Sequence, residues 1–196
     1  MTYTRINNLP DLSKLSNIEY FIFFKGKLIP ILSGRNILAN SLYIYCQFPL
    51  QTEKFNLTQF TIINKSNIYV PIKIFVKCGL HTFEKKYVFV SPKEDVIFLS
   101  NHDGLFLNSG IIKHSSISQY GVLKRSDYNE KIRQGKIPLY PIGTGDVVGL
   151  FTLETVLKPY ERTVANTWVM YSENHNDKNL IKWDRTLKSR LAFSKK

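Results

Sequence analysis

The stretch from Leu57 to Ser100 constrains the fold more than any other part of the chain. It contains three apolar runs, Phe60 to Ile63, Val70 to Val76 and Tyr87 to Leu99, and the polar residues 64–67 separate the first two. The runs are rich in Val, Ile, Phe and Tyr, whose branched or flat side chains suit a pleated, half-buried surface. The stretch therefore predicts three or four consecutive strands.

Two turn signals extend this pattern in both directions. Lys25-Gly26-Lys27 lies between apolar runs, and Gly26 can adopt the positive φ that a tight hairpin turn needs. Pro30 cannot donate to a ladder, so the second strand of that hairpin is expected at a sheet edge. A second hairpin is predicted at residues 143–146, between apolar runs at 137–142 and 147–156.

Two other segments have a different character. The span from Asn101 to Ile137 has the weakest pattern of the chain and is expected to be a long surface loop, a kind of segment that often carries function. A shorter loop is expected at residues 33–40. Near the C-terminus, Leu180, Trp183 and Leu187 recur at helical spacing. Residues 176–196 therefore predict a helix, with a terminal strand as the alternative.

These elements predict an all-β, mainly antiparallel fold: an immunoglobulin-like β-sandwich, as one large or two small sandwiches, with a short C-terminal helix. Residues 1–17 are polar and are expected to form a loose N-terminal arm. Residues 18–196 are predicted to form a single sandwich domain, with a division into 18–105 and 106–196 as the alternative. Turns with the pattern Pro-x-Glu follow strands at 92–94 and 159–161, and both are interpreted as crossings between sheets.

The chain carries 27 Lys and Arg against 15 Asp and Glu, a formal net charge of +12. Such an excess attracts nucleic acid, anionic lipid headgroups or acidic polymers. The alternative is a merely basic surface, since abundant Lys, Asn and Ile are also typical of AT-rich coding sequence. Only seven of the basic residues are Arg, and this scarcity disfavours sequence-specific readout of nucleic acid, which relies on the Arg fork.

Basic residues interleaved with aromatic residues mark the candidate binding surfaces. A positive sheet face is predicted on the strand around Tyr69 to Lys77 and on residues 83–87, and a second basic cluster on the C-terminal segment. The alternative is that the aromatic rings point inward and the lysines are simply solvated. The candidate binding residues are Lys73, Lys77, Lys85, Lys86, Lys113, Lys182, Arg185, Lys188 and Arg190.

Motifs for catalysis, cofactors or metals are absent. The weak metal candidates are His102, Asp103 and His114, which lie within one loop of the predicted fold but lack the spacing of a known ligand motif. Cys46 and Cys78 sit in apolar runs, as buried hydrophobic residues do, and neither has a neighbouring activating residue. No metal and no cofactor are expected.

The sequence predicts a non-enzymatic binding or assembly module that contacts a protein or a polyanion through a basic face or an exposed strand edge. A cytoplasmic location is expected, because no secretion signal or apolar run of membrane-spanning length is visible. Two alternatives remain open. One is a hydrolase or metal-dependent enzyme that uses the His102–His114 loop, and the other is a weak, non-specific nucleic-acid binder.

Overall fold

The computed structural model describes residues 12–39, 41–81 and 86–193. The strands are β1 (Ser16–Phe24), β2 (Lys27–Pro30), β3 (Gly34–Leu38), β4 (Leu42–Gln51), β5 (Phe55–Asn64), β6 (Val70–Leu80), β7 (Tyr87–Ser91), β8 (Val96–Asn101), β9 (Gly104–Ile112), β10 (Gln119–Lys124), β11 (Ile142–Thr144), β12 (Val147–Leu157) and β13 (Arg162–Ser172). The helices are α1 (Leu12–Leu15), α2 (Tyr128–Lys131) and α3 (Asp177–Phe193).

Two antiparallel sheets pack face to face. The five-stranded sheet has the order β10-β12-β6-β1-β2, and the eight-stranded sheet has the order β11-β7-β8-β9-β13-β5-β4-β3. This arrangement confirms the prediction of an all-β, mainly antiparallel sandwich with one short C-terminal helix. Each sheet contains strands from both 18–105 and 106–196, so residue 105 does not mark a boundary between sheets.

The main core lies between the sheets and is built by alternation along the strands. On β4, Leu42, Ile44 and Cys46 are buried, and the intervening tyrosines point to the outer face. On β6, the even-numbered residues Ile72 to Val76 fill the same core. Because side chains on a strand point alternately to its two faces, the apolar half of each strand enters this core.

A second core forms where α3 packs on the outer face of β9 and β13. Leu180 of the helix meets Leu107, Trp168 and Met170 of the sheet, and all four are buried. The C-terminal helix predicted from the sequence is therefore confirmed. Trp183 was predicted to lie on the buried face of this helix with Leu180 and Leu187, but its side chain is 50% exposed.

A third core covers the outer face of the five-stranded sheet. Residues 125–141, including α2, place Tyr128 and Ile132 over Phe75 and Leu150. The positive sheet face predicted on the strand around Tyr69 to Lys77 requires the side of β6 that carries Phe75 and Lys77 to meet solvent, and that expectation is wrong. Since another segment covers this face, Lys77 is only 6% exposed.

Several local predictions are confirmed. The stretch from Leu57 to Ser100 contributes to four consecutive strands, β5 to β8. Lys25 and Gly26 form the turn between the antiparallel strands β1 and β2, with Gly26 at φ +75°. β2, which ends at Pro30, lies at the edge of its sheet as expected.

Other local predictions are wrong. Residues 33–40 contain β3, and most of the span 101–137 is built into β8, β9, β10 and α2 rather than forming a long loop. Of the predicted N-terminal arm, residues 1–11 lie outside the described residues, whereas Leu12 is fully buried and β1 begins at Ser16. The pattern of 101–137 was hard to interpret because β9 is buried on both faces and lacks alternation.

Turns 143–146 and 92–94 also differ from expectation. β11 and β12 do not pair, since β11 joins β7 and β12 joins β6 and β10. The glycine-containing turn therefore carries the chain from one sheet to the other. The Pro92 turn was predicted to cross between the sheets, but it joins the paired strands β7 and β8 within one sheet. Only the Pro159 turn makes the predicted crossing, from β12 to β13.

Candidate functional site

The positive sheet face predicted on β6 does not form. Lys73 Nζ lies 3.2 Å from a carboxylate oxygen of Glu154, and Lys77 Nζ lies 2.7 Å from Glu19 Oε1. Both ammonium groups are therefore neutralised within the fold. Lys85, the third member of the predicted face, lies outside the described residues.

Two further candidates, Lys86 and Lys113, also have acidic partners. Lys86 is buried, with its Nζ 3.6 Å from Asp146 Oδ1. Burial lowers the pKa of Lys86, and the nearby Arg125 guanidinium lowers it further. Lys113 Nζ lies 2.9 Å from Glu161 Oε1. These lysines hold loops to the sandwich.

The basic residues of α3 divide into paired and exposed ones. Arg185 donates two hydrogen bonds to the carboxylate of Glu94, at 2.9 and 2.7 Å. Lys188 Nζ lies 2.8 Å from Asp184 Oδ2. Lys182 and Arg190 are exposed, and neither forms an ion pair with any residue that the structure describes. The eight candidates that the structure describes therefore do not lie on one common face.

The metal candidates do not converge. His102 and Asp103 form the turn between β8 and β9, where His102 Nε2 lies 3.1 Å from Asp103 Oδ1. His114 follows the other end of β9, and nine strand residues span about 30 Å. Within residues 12–39, 41–81 and 86–193, no three His, Cys, Asp or Glu side chains form a potential metal site.

A cleft of about 510 Å³ opens between the two sheets beside β1. Its walls come from β1, from the crossing between β2 and β3, and from β4 and β5. About half of the lining residues are apolar, among them Ile18, Ile31, Phe48 and Val169, and the others are polar or charged, including Glu19 and His81. Concave, largely apolar sites with a few polar groups are the usual form of binding sites in proteins.

Tyr20, Thr58 and Cys46 also line this cleft. The Tyr20 hydroxyl donates to Thr58 Oγ1 at 2.8 Å and accepts from the Thr167 hydroxyl at 3.3 Å. Burial raises the pKa of Tyr20 to about 12 and the pKa of Cys46 to about 11. Both groups are thus neutral near pH 7, and neither is an activated nucleophile.

The first half of β1 borders the cleft with a backbone edge that no strand of the described chain pairs, called the free edge of β1 below. β2 pairs only with residues Phe21 to Phe24 of β1. On the same side of β1, the last backbone hydrogen bond is donated by Ile31 N to Tyr20 O at 2.8 Å. Backbone groups in an antiparallel ladder point to the same side at every second residue. The N–H and C=O of Ile18 therefore point toward the cleft, where no described residue offers them a backbone partner.

The rim of the cleft carries two exposed apolar side chains. Leu32 is 68% exposed and Phe48 is 44% exposed. The crossing that holds Leu32 is fixed by Asn36, whose side chain accepts from Leu32 N at 2.9 Å and donates to Leu32 O at 2.8 Å. The exposed leucine is therefore held in place beside the free edge of β1.

Sequence reasoning placed β2 at an edge but missed this cleft. The Pro30 signal placed β2 at a sheet edge, yet it could not show that β1 extends beyond β2 or that β4 and β5 lie opposite. Those two facts depend on the register of pairing and on the packing of the sheets.

Comparisons with known proteins give no assignment. No family model matches the sequence, and no curated protein matches it. Among solved structures, a family GH92 inverting mannosidase from Bacteroides thetaiotaomicron is similar in fold, with a TM-score of 0.40 and 9% sequence identity. The match covers 90% of this chain and 25% of the mannosidase chain, so this chain spans about a quarter of that protein's length. No described helix is both long and apolar enough to cross a membrane.

Proposed function

We propose that this protein is a non-enzymatic, cytosolic binding module that takes up an extended segment of a protein partner along the free edge of β1. The observation that carries the proposal is the backbone of Ile18, which has no backbone partner on the cleft side among the described residues. An extended peptide that adds a strand to a sheet gains affinity from main-chain hydrogen bonds and specificity from pockets for alternate side chains. The free edge and the cleft supply both elements.

The bound segment would occupy the place that β2 leaves open. It would run antiparallel to β1, with its backbone bonded to Ile18 and with every second side chain directed into the cleft. Phe48 and Leu32 would cover the apolar side chains from the rim. Partner segments with alternating apolar and polar residues therefore fit this site best.

An enzymatic function has less support. His102 and His114 lie at opposite ends of β9, and the cleft residues Tyr20 and Cys46 have raised pKa values that disfavour nucleophilic attack. The cytosolic location stays a prediction from the sequence, and the two free, buried cysteines are in keeping with it.

A selection from a displayed library of random seven-residue peptides tests the proposal. We expect enriched peptides to alternate apolar and polar residues. Ile18→Pro removes the free N–H, and Leu32→Ser removes an apolar rim contact. Each substitution should weaken binding of a selected synthetic peptide at least fivefold, measured by fluorescence anisotropy.

Leu139→Ser is the matched control, because Leu139 is 67% exposed but does not line the cleft. It should leave the affinity unchanged, and circular dichroism should show all variants folded. The proposal is overturned if no peptide is enriched, or if Leu32→Ser binds the selected peptide as well as the unmodified protein does.

A further inference from the structure

The outer face of the eight-stranded sheet is covered only in part. α3 packs on β9 and on the part of β13 around Trp168 and Met170. Beyond the helix, outward-pointing residues of β3, β4, β5 and the first half of β13 form rows that run across the strands. One row contains Arg35 and its pairing partner Tyr45. The next row contains Tyr43 and ends at Arg162. We call Arg35, Tyr43, Tyr45 and Arg162 the Arg–Tyr face.

Neither tyrosine of this face belongs to a hydrophobic core. Tyr43 and Tyr45 are partly exposed, because alternate residues of β4 point inward and leave these rings on the outer surface. The Arg35 guanidinium carbon lies 5.1 Å from the centroid of the Tyr43 ring, a cation–π contact that holds the arginine over the sheet. The rings and guanidinium groups thus share one surface.

The charge of this face is positive and uncompensated. Both arginines are exposed, and neither forms an ion pair with any residue in the described part of the chain. The outward positions of the four strands contain no Asp or Glu. Glu161 is adjacent in sequence to Arg162, but its carboxylate forms an ion pair with Lys113 Nζ at 2.9 Å. The same carboxylate accepts a hydrogen bond from the Lys158 N–H at 2.6 Å.

This face contrasts with three of the other predicted binding residues. Lys73, Lys77 and Arg185 each lie within 3.2 Å of a carboxylate oxygen. A polyanion that approached those residues would compete with an internal partner, whereas at the Arg–Tyr face it would meet guanidinium groups that have no acidic partner among the described residues. Charge complementarity therefore favours the Arg–Tyr face over the positions of these three residues.

We infer that the Arg–Tyr face is a second binding site, for single-stranded nucleic acid. Arg35 and Arg162 lie three strand spacings and one row apart, or about 16 Å at the usual strand geometry. The guanidinium groups bind phosphates of one strand, and a base stacks on the Tyr45 ring between them. Surfaces that combine aromatic platforms with positive charge bind single strands with little sequence preference, so no base-edge readout is needed.

Fluorescence anisotropy with a labelled oligothymidylate of about ten nucleotides tests this inference. Since two phosphates are neutralised, the logarithm of the association constant should fall with the logarithm of salt concentration with a slope of about −1.4. The double variant Arg35→Ala/Arg162→Ala should bind at least tenfold more weakly and show a slope near zero. Tyr45→Ala should weaken binding at least fivefold, because it removes the stacking platform.

The double variant Lys93→Ala/Lys178→Ala is the matched control. It also removes two exposed cations, but from the turn between β7 and β8 and from α3, and should leave affinity and slope unchanged. The inference is overturned if the control loses as much affinity as the arginine variant. It is also overturned if Tyr45→Ala binds normally, since charge alone then explains binding, or if a neutral polysaccharide binds the face and oligothymidylate does not.

Discussion

At the scale of single residues, one buried carboxylate joins α3 to the sandwich. Asp184 is fully buried, and its Oδ1 accepts a hydrogen bond from Trp168 Nε1 at 2.9 Å. Lys188 Nζ lies 2.8 Å from Asp184 Oδ2 and donates to Glu94 O at 2.7 Å. Burial raises the pKa of Asp184, although the ammonium and indole groups partly offset this effect.

We predict that Asp184→Ala lowers the free energy of unfolding by about 3 kcal/mol, because it leaves the Trp168 N–H unpaired and the Lys188 ammonium without its counter-ion. Urea unfolding followed by circular dichroism measures the change. Lys182→Ala, an exposed substitution on the same helix, should change the free energy by less than about 0.5 kcal/mol. Equal effects of the two substitutions would contradict the assigned role of Asp184.

The Glu94–Arg185 pair predicts a dependence on pH. The hydrogen bonds from Arg185 hold the pKa of Glu94 below its ordinary value of 4.5. A carboxyl with a lowered pKa in the folded state stabilises the fold above its unfolded pKa, and this contribution is lost as the pH falls through the folded pKa. Glu94→Gln should therefore reduce the free energy of unfolding at pH 7 but make little difference at pH 2.

Urea titrations of the unmodified protein and of Glu94→Gln at both pH values provide the measurement. A difference between the two proteins that stays constant from pH 7 to pH 2 would show that the ion pair is not responsible. Asp127→Asn, which affects an exposed pair with Lys131 far from α3, serves as the comparison for surface charge alone.

At the scale of elements, residues 137–141 close one open side of the sandwich. Val122 N donates to Tyr140 O at 2.8 Å, and Val90 N donates to Pro141 O at 2.8 Å. The segment thus satisfies donors on β10 of one sheet and β7 of the other. Pro138 and Pro141 of this segment have no backbone N–H to donate, so they limit the pairing of a further strand at this side. Prolines commonly protect exposed sheet edges in this way.

This closure depends on a glycine. A Cβ at position 121 would overlap the carbonyl oxygen of Pro138 and lie 2.9 Å from the Ile137 side chain. Gly121→Ala should therefore push the segment off β10 and lower the free energy of unfolding by about 2 kcal/mol. Thermal unfolding monitored by circular dichroism checks this expectation.

Gly79→Ala is the control for that experiment. A Cβ at Gly79 would lie 3.3 Å from Arg125 Nη2, the end of a flexible side chain that can move. We expect a change within about 1 kcal/mol of zero, and alanine itself favours a strand over glycine by a similar amount. A loss as large as that of Gly121→Ala would mean that the Pro138 contact is not the cause.

At the scale of the whole molecule, positive charge and binding surfaces are distributed differently from what the sequence implied. The net charge of +12 suggested a dominant basic face. In the fold, the lysines of β6 are neutralised by Glu19 and Glu154, whereas Arg35 and Arg162 on the opposite sheet have no acidic partner in the described part of the chain. The proposed peptide site and the proposed nucleic-acid site lie on different parts of the sandwich.

The sequence by itself determined the elements with clear local signals. The apolar runs between Leu57 and Ser100 and the turn at Gly26 predicted strands and a hairpin, because strand preference and glycine conformation act within a few residues. The three- and four-residue spacing from Leu180 to Leu187 predicted α3 in the same way. These features led to the correct fold class.

Only the tertiary structure decided which elements pair and which surfaces stay open. The turn at 143–146 resembled a hairpin but joins two sheets, and Lys77 resembled a solvent-exposed residue but lies under 125–141. The free edge at Ile18 and the row of Arg35 with Tyr45 exist only through pairing between distant segments. Such contacts depend on the summed packing of the whole chain, so no local pattern carries them.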